Sequence, residues 1–518
     1  MRYFFKTVAI VTVFSVCEKF LGFLYRIYLS HSIGAEGVGM YHVALSVFAF
    51  LLTVTCSGTP ITVSRLMTKY SSEGKYERVN KVITAGLSYT LLIALPLVAI
   101  FYIAGGKFSF LFADERCINI FLVILPSLVF TSVYSVLRGV FWGNKDFLPY
   151  SVIELLEEIC MIIVGIILIN GTTSAYQGAF RAGIAVLISY IFSFSLAAAV
   201  FFLRKHKLKN PKSEFKPLLS SATPVTAMRT VTSLASSLVS IVFPLRLVAA
   251  GVSESQAMSL YGAAVGQAIP LLYIPTTLIG SFTLVLIPEI SENFYKKQNT
   301  YLKNNIEKAI KFTALLSTIF VPVFFVCGEE IGILVFNNAD CGAYLTASSF
   351  LMIFMGLSGI TTSMLNSMGK EKQVLLYCAA TEVFMLAAVW FLPTFIGVYA
   401  LLAGFSAVYF ATTVLNLWLL HKTCPVKPVY LKKVITAIIL ILPTSLFGAL
   451  LEKMLLPLLG TLATFLTVTA AMITFITLLY LCLGLVDFGI VTDFGKKKKR
   501  NAKKTAEIKS ADMRMSKT

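Results

Sequence analysis

The sequence predicts an all-α polytopic membrane protein, with about 14 transmembrane helices in two six-helix lobes and a C-terminal helix pair. Three observations predict it. The 518 residues are 57% hydrophobic and only 13% charged, with mean hydropathy +0.82, where soluble domains carry roughly 25% charged residues. So few charges do not cover a soluble surface, so most apolar side chains face lipid. Second, the chain divides into apolar stretches of the length, about 20 residues, that crosses a hydrocarbon core as helix. Third, its two halves echo one another. A soluble enzyme, a secreted disulfide scaffold and a disordered chain are excluded.

The first span, Thr7–Leu29, follows a basic start (Arg2, Lys6) as a signal peptide would. It lacks an Ala-x-Ala cleavage site and runs on through Glu18 and Lys19, so it reads as a retained helix. Met40–Ile61, Val82–Ala104, Ile118–Phe141, Tyr150–Ile169 and Gly178–Leu203 complete the first six. Leu219–Phe243, Leu260–Ile287, Ala309–Cys327, Tyr344–Asn366, Val374–Leu392 and Gly397–Leu420 form the second six. Val434–Leu451 and Leu462–Val486 are the final pair. Pro96, Pro126, Pro270, Pro275 and Pro443 lie inside spans, where neighbouring helices re-satisfy the freed backbone groups. The expected organisation is 1–210, 211–425, 426–490 and a basic tail, 491–518.

The loops test that count. Net charge is +19, from 44 Lys plus Arg against 25 Asp plus Glu. With the N-terminus inside, 36 cations fall on cytoplasmic segments, 5 on the opposite loops (Lys107, Arg116, Arg181, Arg246, Lys453) and 3 inside spans. One helix more or fewer would invert the pattern downstream, so both termini are expected in the cytoplasm. The tail from Lys496, with its KKKKR run, holds ten cations against Glu507 and Asp512. It reads as a stop-transfer and a contact for anionic lipids rather than for nucleic acid.

The repeat rests on spacing. Arg26 and Tyr41 recur as Arg246 and Tyr261, Gly58 as Gly280, and Gly143-Asn144-Lys145 as Gly369-Lys370-Glu371, at offsets drifting from 220 to 226. Each half has an even number of spans, so the halves share one orientation, as in transporters with parallel repeats. Two bundles around a cleft are what alternating access requires.

Charges inside the membrane are expensive and usually face a cavity. Lys19 and Arg26 are seven apart and share a face of the first span; Gly22 between them permits close approach. Glu154, Glu157 and Glu158 make one acidic stripe on the fifth span. Arg229 opens the second half, and Glu382 lies in the eleventh span. The functional reading makes Arg26, Lys19 and Arg229 the contacts of a phosphate-bearing headgroup, with Glu18, Glu154, Glu157 and Glu382 as cavity or coupling groups. The structural reading pairs Lys19 or Arg26 with the acidic stripe. Arg138, Arg65 and Glu289, at span ends, read as snorkelling or capping residues. Four His and nine Cys show no metal spacing and no Cys-x-x-Cys pair. Cys327 and Cys341 read as free thiols. No phosphate-binding Gly-Lys-Ser/Thr loop is present, so no cofactor or catalysis is expected. Energy is expected from an Na+ or H+ gradient, from the membrane potential, or from none.

Several segments carry a resemblance: Lys19-Phe20-Leu21-Gly22-Phe23-Leu24-Tyr25-Arg26, Ile33-Gly34-Ala35-Glu36-Gly37-Val38-Gly39-Met40-Tyr41 and Ser57-Gly58-Thr59-Pro60-Ile61 with Ser64-Arg65-Leu66. Val136-Leu137-Arg138-Gly139 with Trp142-Gly143, Pro149 with Leu156-Glu157-Glu158, and Thr223-Pro224-Val225-Thr226 with Arg229 follow in order. Pro270-Leu271-Leu272-Tyr273-Ile274-Pro275 and Ile287-Pro288-Glu289-Ile290-Ser291 complete the set. Across nearly the whole chain this resembles the stage V sporulation protein B family of the MOP flippase superfamily, which also holds the polysaccharide O-unit and MurJ-type lipid II flippases. The resemblance implies a monomeric, two-lobed transporter of the bacterial plasma membrane. Its implied cargo is an undecaprenyl-pyrophosphate-linked oligosaccharide or peptidoglycan precursor, for cell wall, spore cortex or polysaccharide. Arg26 falls one position beyond the arginine of the family's Leu-Gly-Phe-x-Arg pattern, where this chain has Tyr25. The arginines of the second and eighth spans in MurJ-like members have no counterpart, which favours the sporulation-type branch. The alternative is a cation-coupled drug or metabolite exporter of the MATE type, which usually has twelve spans and binds cations through acidic residues. A membrane scaffold and an integral glycosyltransferase fit the short loops least.

Overall fold

The computed structural model describes residues 2–104, 107–109, 112–204, 208–424 and 429–485. The basic tail, on which the anionic-lipid expectation rests, lies outside the described residues. Among the described residues every regular element is helical: the chain is an all-α polytopic membrane protein. Nine helices are long and apolar enough to cross a bilayer, or up to eleven when two bent pairs each count as one span.

In chain order the first half comprises α1 (Arg2–Cys56), α2 (Thr59–Ser72), α3 (Tyr76–Ala104), α4 (Arg116–Ile124), α5 (Ser127–Gly143), α6 (Phe147–Ile169) and α7 (Ala175–Leu203). There follow α8 (Lys212–Ala249), α9 (Glu254–Tyr261), a π-helical segment (Gly262–Ala268), α10 (Ile269–Tyr295), α11 (Asn299–Val326), α12 (Gly328–Phe336) and α13 (Ala339–Ser348). The last are α14 (Leu351–Ser367), α15 (Glu371–Phe391), α16 (Pro393–Ile396), α17 (Tyr399–Thr423), α18 (Val429–Ile439) and α19 (Ile441–Cys482). Each of the fourteen expected stretches overlaps helix. Three carboxylates interrupt the apolar run of α6, while α1 with α2, and α18 with α19, each make one continuous apolar stretch.

The joins differ from expectation. The loop expected at 30–39 is helical on both sides of a single residue, Gly34 (φ 67°, ψ 176°). That left-handed, extended conformation is open to glycine alone at little cost, so one residue separates two arms of α1. Gly460 (φ 72°, ψ 171°) divides α19 in the same way. The second expected span, in contrast, stops early: α1 ends at Cys56, and Pro60 in the first turn of α2 starts a new helix. Arg116–Ile124 and Ser127–Gly143 meet at 40°, with Pro126 at the join.

Close backbone approach fixes the second arm of α1. A Cβ on Gly39 would stand 2.0 Å from the Met258 carbonyl oxygen, and one on Gly262 2.0 Å from that of Ala35. No larger side chain fits this seam between α1 and the α9–π junction. Beside it runs a buried polar chain. Asn338 Nδ2 donates to Gln267 Oε1 (2.7 Å), Gln267 Nε2 donates to Ser30 Oγ (2.6 Å), and Ser30 Oγ donates to the Phe336 carbonyl (3.2 Å). Gln267 is 1% exposed, so the chain satisfies an amide that would otherwise cost about 1–3 kcal/mol to bury. At another junction Tyr70 donates to Glu214 (2.7 Å), which is 2% exposed and also faces Arg78 at 3.5 Å, tying α2 and α3 to the start of α8.

Candidate functional site

Two polar cavities lie among α1, α2, α5, α6, α7 and α8. The first, about 300 Å³, is lined by Ser57, Thr131, Tyr134, Arg138, Trp142, Glu154, Glu157, Tyr190 and Arg229 among others. The second, about 250 Å³, is lined by Gly22, Tyr25, Arg26, Tyr41, His42, Glu157, Glu158, Ser189 and Tyr190 among others. Glu157 and Tyr190 belong to both, so they stand between the two chambers.

The acidic stripe explains that arrangement. On α6, Glu154, Glu157 and Glu158 share one face because i, i+3 and i+4 are neighbours on a helix. Rise along the axis then spreads them: Glu154 reaches the first cavity, Glu158 the second, and Glu157 both. Gly22 lets the first arm of α1 approach this face, since a Cβ there would stand 2.9 Å from Glu158 Oε1. Arg26, one turn further along α1, interacts electrostatically with Glu158 and Tyr41.

In the first cavity Arg138 Nη1 pairs with Glu154 Oε1 at 3.4 Å, and the guanidinium lies 5.5 Å from the Trp142 ring centroid. Its Nε is buried without a hydrogen-bond partner. So are Ser57 Oγ, Thr131 Oγ1, Tyr134 OH and Glu157 Oε2, all of lining residues. Buried polar atoms in native structures nearly always have partners; the five around this cavity leave donors and acceptors free for water or for a polar ligand. Arg229, exposed at the margin, adds a second guanidinium and donates to the Ser57 carbonyl (3.3 Å). Two arginines thus line this cavity, and a guanidinium's planar fork of donors is a group that matches phosphate.

The expected site residues are thus partly brought together. Arg26, Glu154, Glu157 and Arg229 line the cavities. Lys19 does not: it is exposed, because seven residues along a helix is about 10 Å of rise, which carries it past the end of the second cavity despite sharing Arg26's face. Glu18 is half-buried beside Lys19, and Glu382, half-buried on α15, neighbours Tyr409 and Cys378; neither lines a cavity. Neither Lys19 nor Arg26 holds Glu154, whose partners are Arg138 and the Tyr150 hydroxyl. Arg138 itself, expected to snorkel, turns inward instead, because the α5–α6 interface offers it a carboxylate. Arg65 is exposed, and Glu289 accepts from Asn305. His42 and Tyr190 escaped sequence reasoning, and Tyr41 entered it through spacing and resemblance but not as a cavity residue. The one available signal was a polar group within an otherwise apolar span, which is weak for tyrosine. Among the described residues no group of His, Cys, Asp and Glu is placed to hold a metal ion, and Cys327 and Cys341 are buried free thiols.

Comparison with known proteins places this geometry. The chain is 27% identical over 365 residues to stage V sporulation protein B of Bacillus subtilis (strain 168), covering 68% of this chain and 70% of that one. It is 23% identical over 332 residues to the lipid II flippase MurJ of the same organism, covering 58% and 60%. Among solved structures, lipid II flippase MurJ in an inward closed conformation superposes with TM-score 0.70 at 16% identity, over 92% of this chain and 99% of that one. An inward-facing MATE multidrug transporter of the MOP superfamily gives 0.64 at 14% identity, over 78% and 94%. The fold is therefore the one these transporters share. A model of the polysaccharide biosynthesis protein family matches residues 4–294, more than half of the sequence, and the chain belongs to that family.

Proposed function

We propose that the chain is a flippase that carries an undecaprenyl-pyrophosphate-linked oligosaccharide or peptidoglycan precursor outward across the bacterial plasma membrane, without enzymatic turnover. The observation that carries this reading is the first cavity: Arg138, with its orphaned Nε, and Arg229 converge there from α5 and α8. A pyrophosphate accepts from both guanidiniums and from the Ser57, Thr131 and Tyr134 hydroxyls that line the same cavity. Arg26 stands beyond the partition in the second chamber, and exposed Lys19 stays outside the pyrophosphate site. Lobes 1–210 and 211–425, with 426–490 appended and both termini cytoplasmic, would rock about this site, moving the headgroup across while the polyprenyl tail stays in lipid. The relatives named for sporulation and for lipid II flipping support the substrate class. Cell wall, spore cortex or another polysaccharide is the destination this class allows.

The test is an assay of headgroup exposure in vesicles holding the purified chain and a lipid-pyrophosphate saccharide. Arg138→Ala with Arg229→Ala is expected to abolish protein-dependent exposure; unchanged exposure would exclude the site.

A second reading has one observation in its favour. Glu157 and Glu158 line a cavity within a fold shared with MATE transporters, as an Na+- or H+-coupled exporter of cationic amphiphiles would require. Ion-driven dye efflux from vesicles lacking any lipid-linked saccharide would support it against the flippase.

A further inference from the structure

We infer that the second cavity is a saccharide-reading compartment, taking the sugar next to the pyrophosphate while the first cavity holds the pyrophosphate itself. This rests on the flippase reading and adds to it a division of the headgroup between two chambers. The covalent order of such a lipid is prenyl, two phosphates, then sugar, so the sugar ring is bonded directly to the distal phosphate. A ligand with its phosphates on Arg138 and Arg229 carries that ring beside the first cavity, and the chamber that adjoins it shares Glu157 and Tyr190.

The chemistry of the chamber fits a hydroxyl-rich, uncharged ring better than an ion. Its volume is about 250 Å³, against the roughly 30 Å³ that one water takes in the liquid, so a bare cation would leave most of it to solvent. Arg26 on the wall opposes a cation, while one guanidinium facing the Glu157 and Glu158 carboxyls suits an anion less than the first cavity, where two guanidiniums face two carboxyls. Together they give acceptors and a donor to neutral hydroxyl and amide groups. Tyr41 and Tyr190 add ring surface for the C–H faces of a sugar, with hydroxyls for its edge. Glu157, on the wall shared by the two chambers, has its Oε2 buried without a partner, placed to accept from a sugar hydroxyl.

The experiment is a binding titration of the full chain in lipid nanodiscs with two probes: undecaprenyl pyrophosphate, and the same lipid bearing one N-acetylhexosamine. The wild type is expected to bind the sugar-bearing probe at least tenfold tighter. Glu158→Gln and Tyr41→Phe are expected to weaken that probe about tenfold more than the bare one, and Arg138→Ala to weaken both alike. Equal wild-type affinities would overturn the compartment while leaving the pyrophosphate site standing. Binding of neither probe would overturn both. The wild-type ratio decides the matter even where a variant does not fold.

Discussion

Arg138 on α5 and Glu154 on α6 meet at 3.4 Å across the wall of the first cavity, and the pair leaves the Arg138 Nε buried without an acceptor. Glu154 therefore competes with any anion for this guanidinium. Arg138→Ala is expected to weaken binding of a lipid pyrophosphate about ten- to a hundredfold, the equivalent of the 1.5–3 kcal/mol of a hydrogen bond to a charged group. Arg138→Lys restores the charge without the fork and recovers only part of that loss. Glu154→Gln acts in the opposite direction and raises affinity severalfold. Titrations at fixed ionic strength check all three signs; a Glu154→Gln chain that binds less tightly would show that the pair positions Arg138 rather than competing for it.

The seam between Gly39 and Gly262 has no room for a methyl group, since the nearest atoms are backbone oxygens at 2.0 Å. Gly39→Ala must push α1 away from the α9–π junction. We expect a loss of about 1–3 kcal/mol, typical of overpacking, read as a lower melting temperature in detergent. Gly280→Ala serves as the comparison, because nothing lies within 4 Å of a Cβ there, and its melting temperature is expected to stay within a degree or two of wild type.

These two cases mark what sequence reasoning reaches. Span positions were legible because hydropathy and length are summed over about 20 residues, so errors at single residues average out. The turn at Gly34 was not, because the residues on both sides have helical character and only a left-handed φ interrupts them. The acidic stripe on α6 was legible from its i, i+3, i+4 spacing, yet the spacing is silent about what faces each carboxylate. Arg138 was misread for that reason: a cation near a span end has water as its default partner, and the Glu154 that draws it inward belongs to another helix. The face that Lys19 shares with Arg26 was legible as well, but an angle is silent about the axial rise that sets Lys19 apart from the chamber.

The chain Asn338–Gln267–Ser30 joins the α12–α13 turn and the π-helical segment to the first arm of α1. Gln267→Leu keeps the volume and strips both bonds, leaving Ser30 and Asn338 each short of a partner. The expected cost is about 1–3 kcal/mol, the penalty of leaving buried polar groups unmade, again read by thermal melting. Gln267→Leu with Ser30→Ala is expected to cost less than the sum of the two single changes, since the second removes a group the first had orphaned. Strict additivity would mean that the three side chains do not act as one network.

Arg26 and Arg246 each stand fifteen residues before a tyrosine, Tyr41 and Tyr261, yet their surroundings differ. Arg26 lines the second cavity opposite Glu158. Arg246 donates from Nε to the Trp390 carbonyl (2.8 Å) and lies 5.2 Å from that ring's centroid, joining α8 to α15. Tyr261 is likewise absorbed, donating to Ser240 Oγ (2.7 Å). One arginine thus serves a polar chamber and the other a packed joint. Arg26→Ala is expected to lower protein-dependent headgroup exposure at least tenfold with little change in melting temperature, because a cavity-lining side chain gives up few packing contacts. Arg246→Ala is expected to do the reverse, costing about 1–2 kcal/mol of stability through the lost cation–π contact and hydrogen bond and sparing transport in chains that remain folded. Equal transport loss in both would mean that the halves still contribute matched arginines to one site.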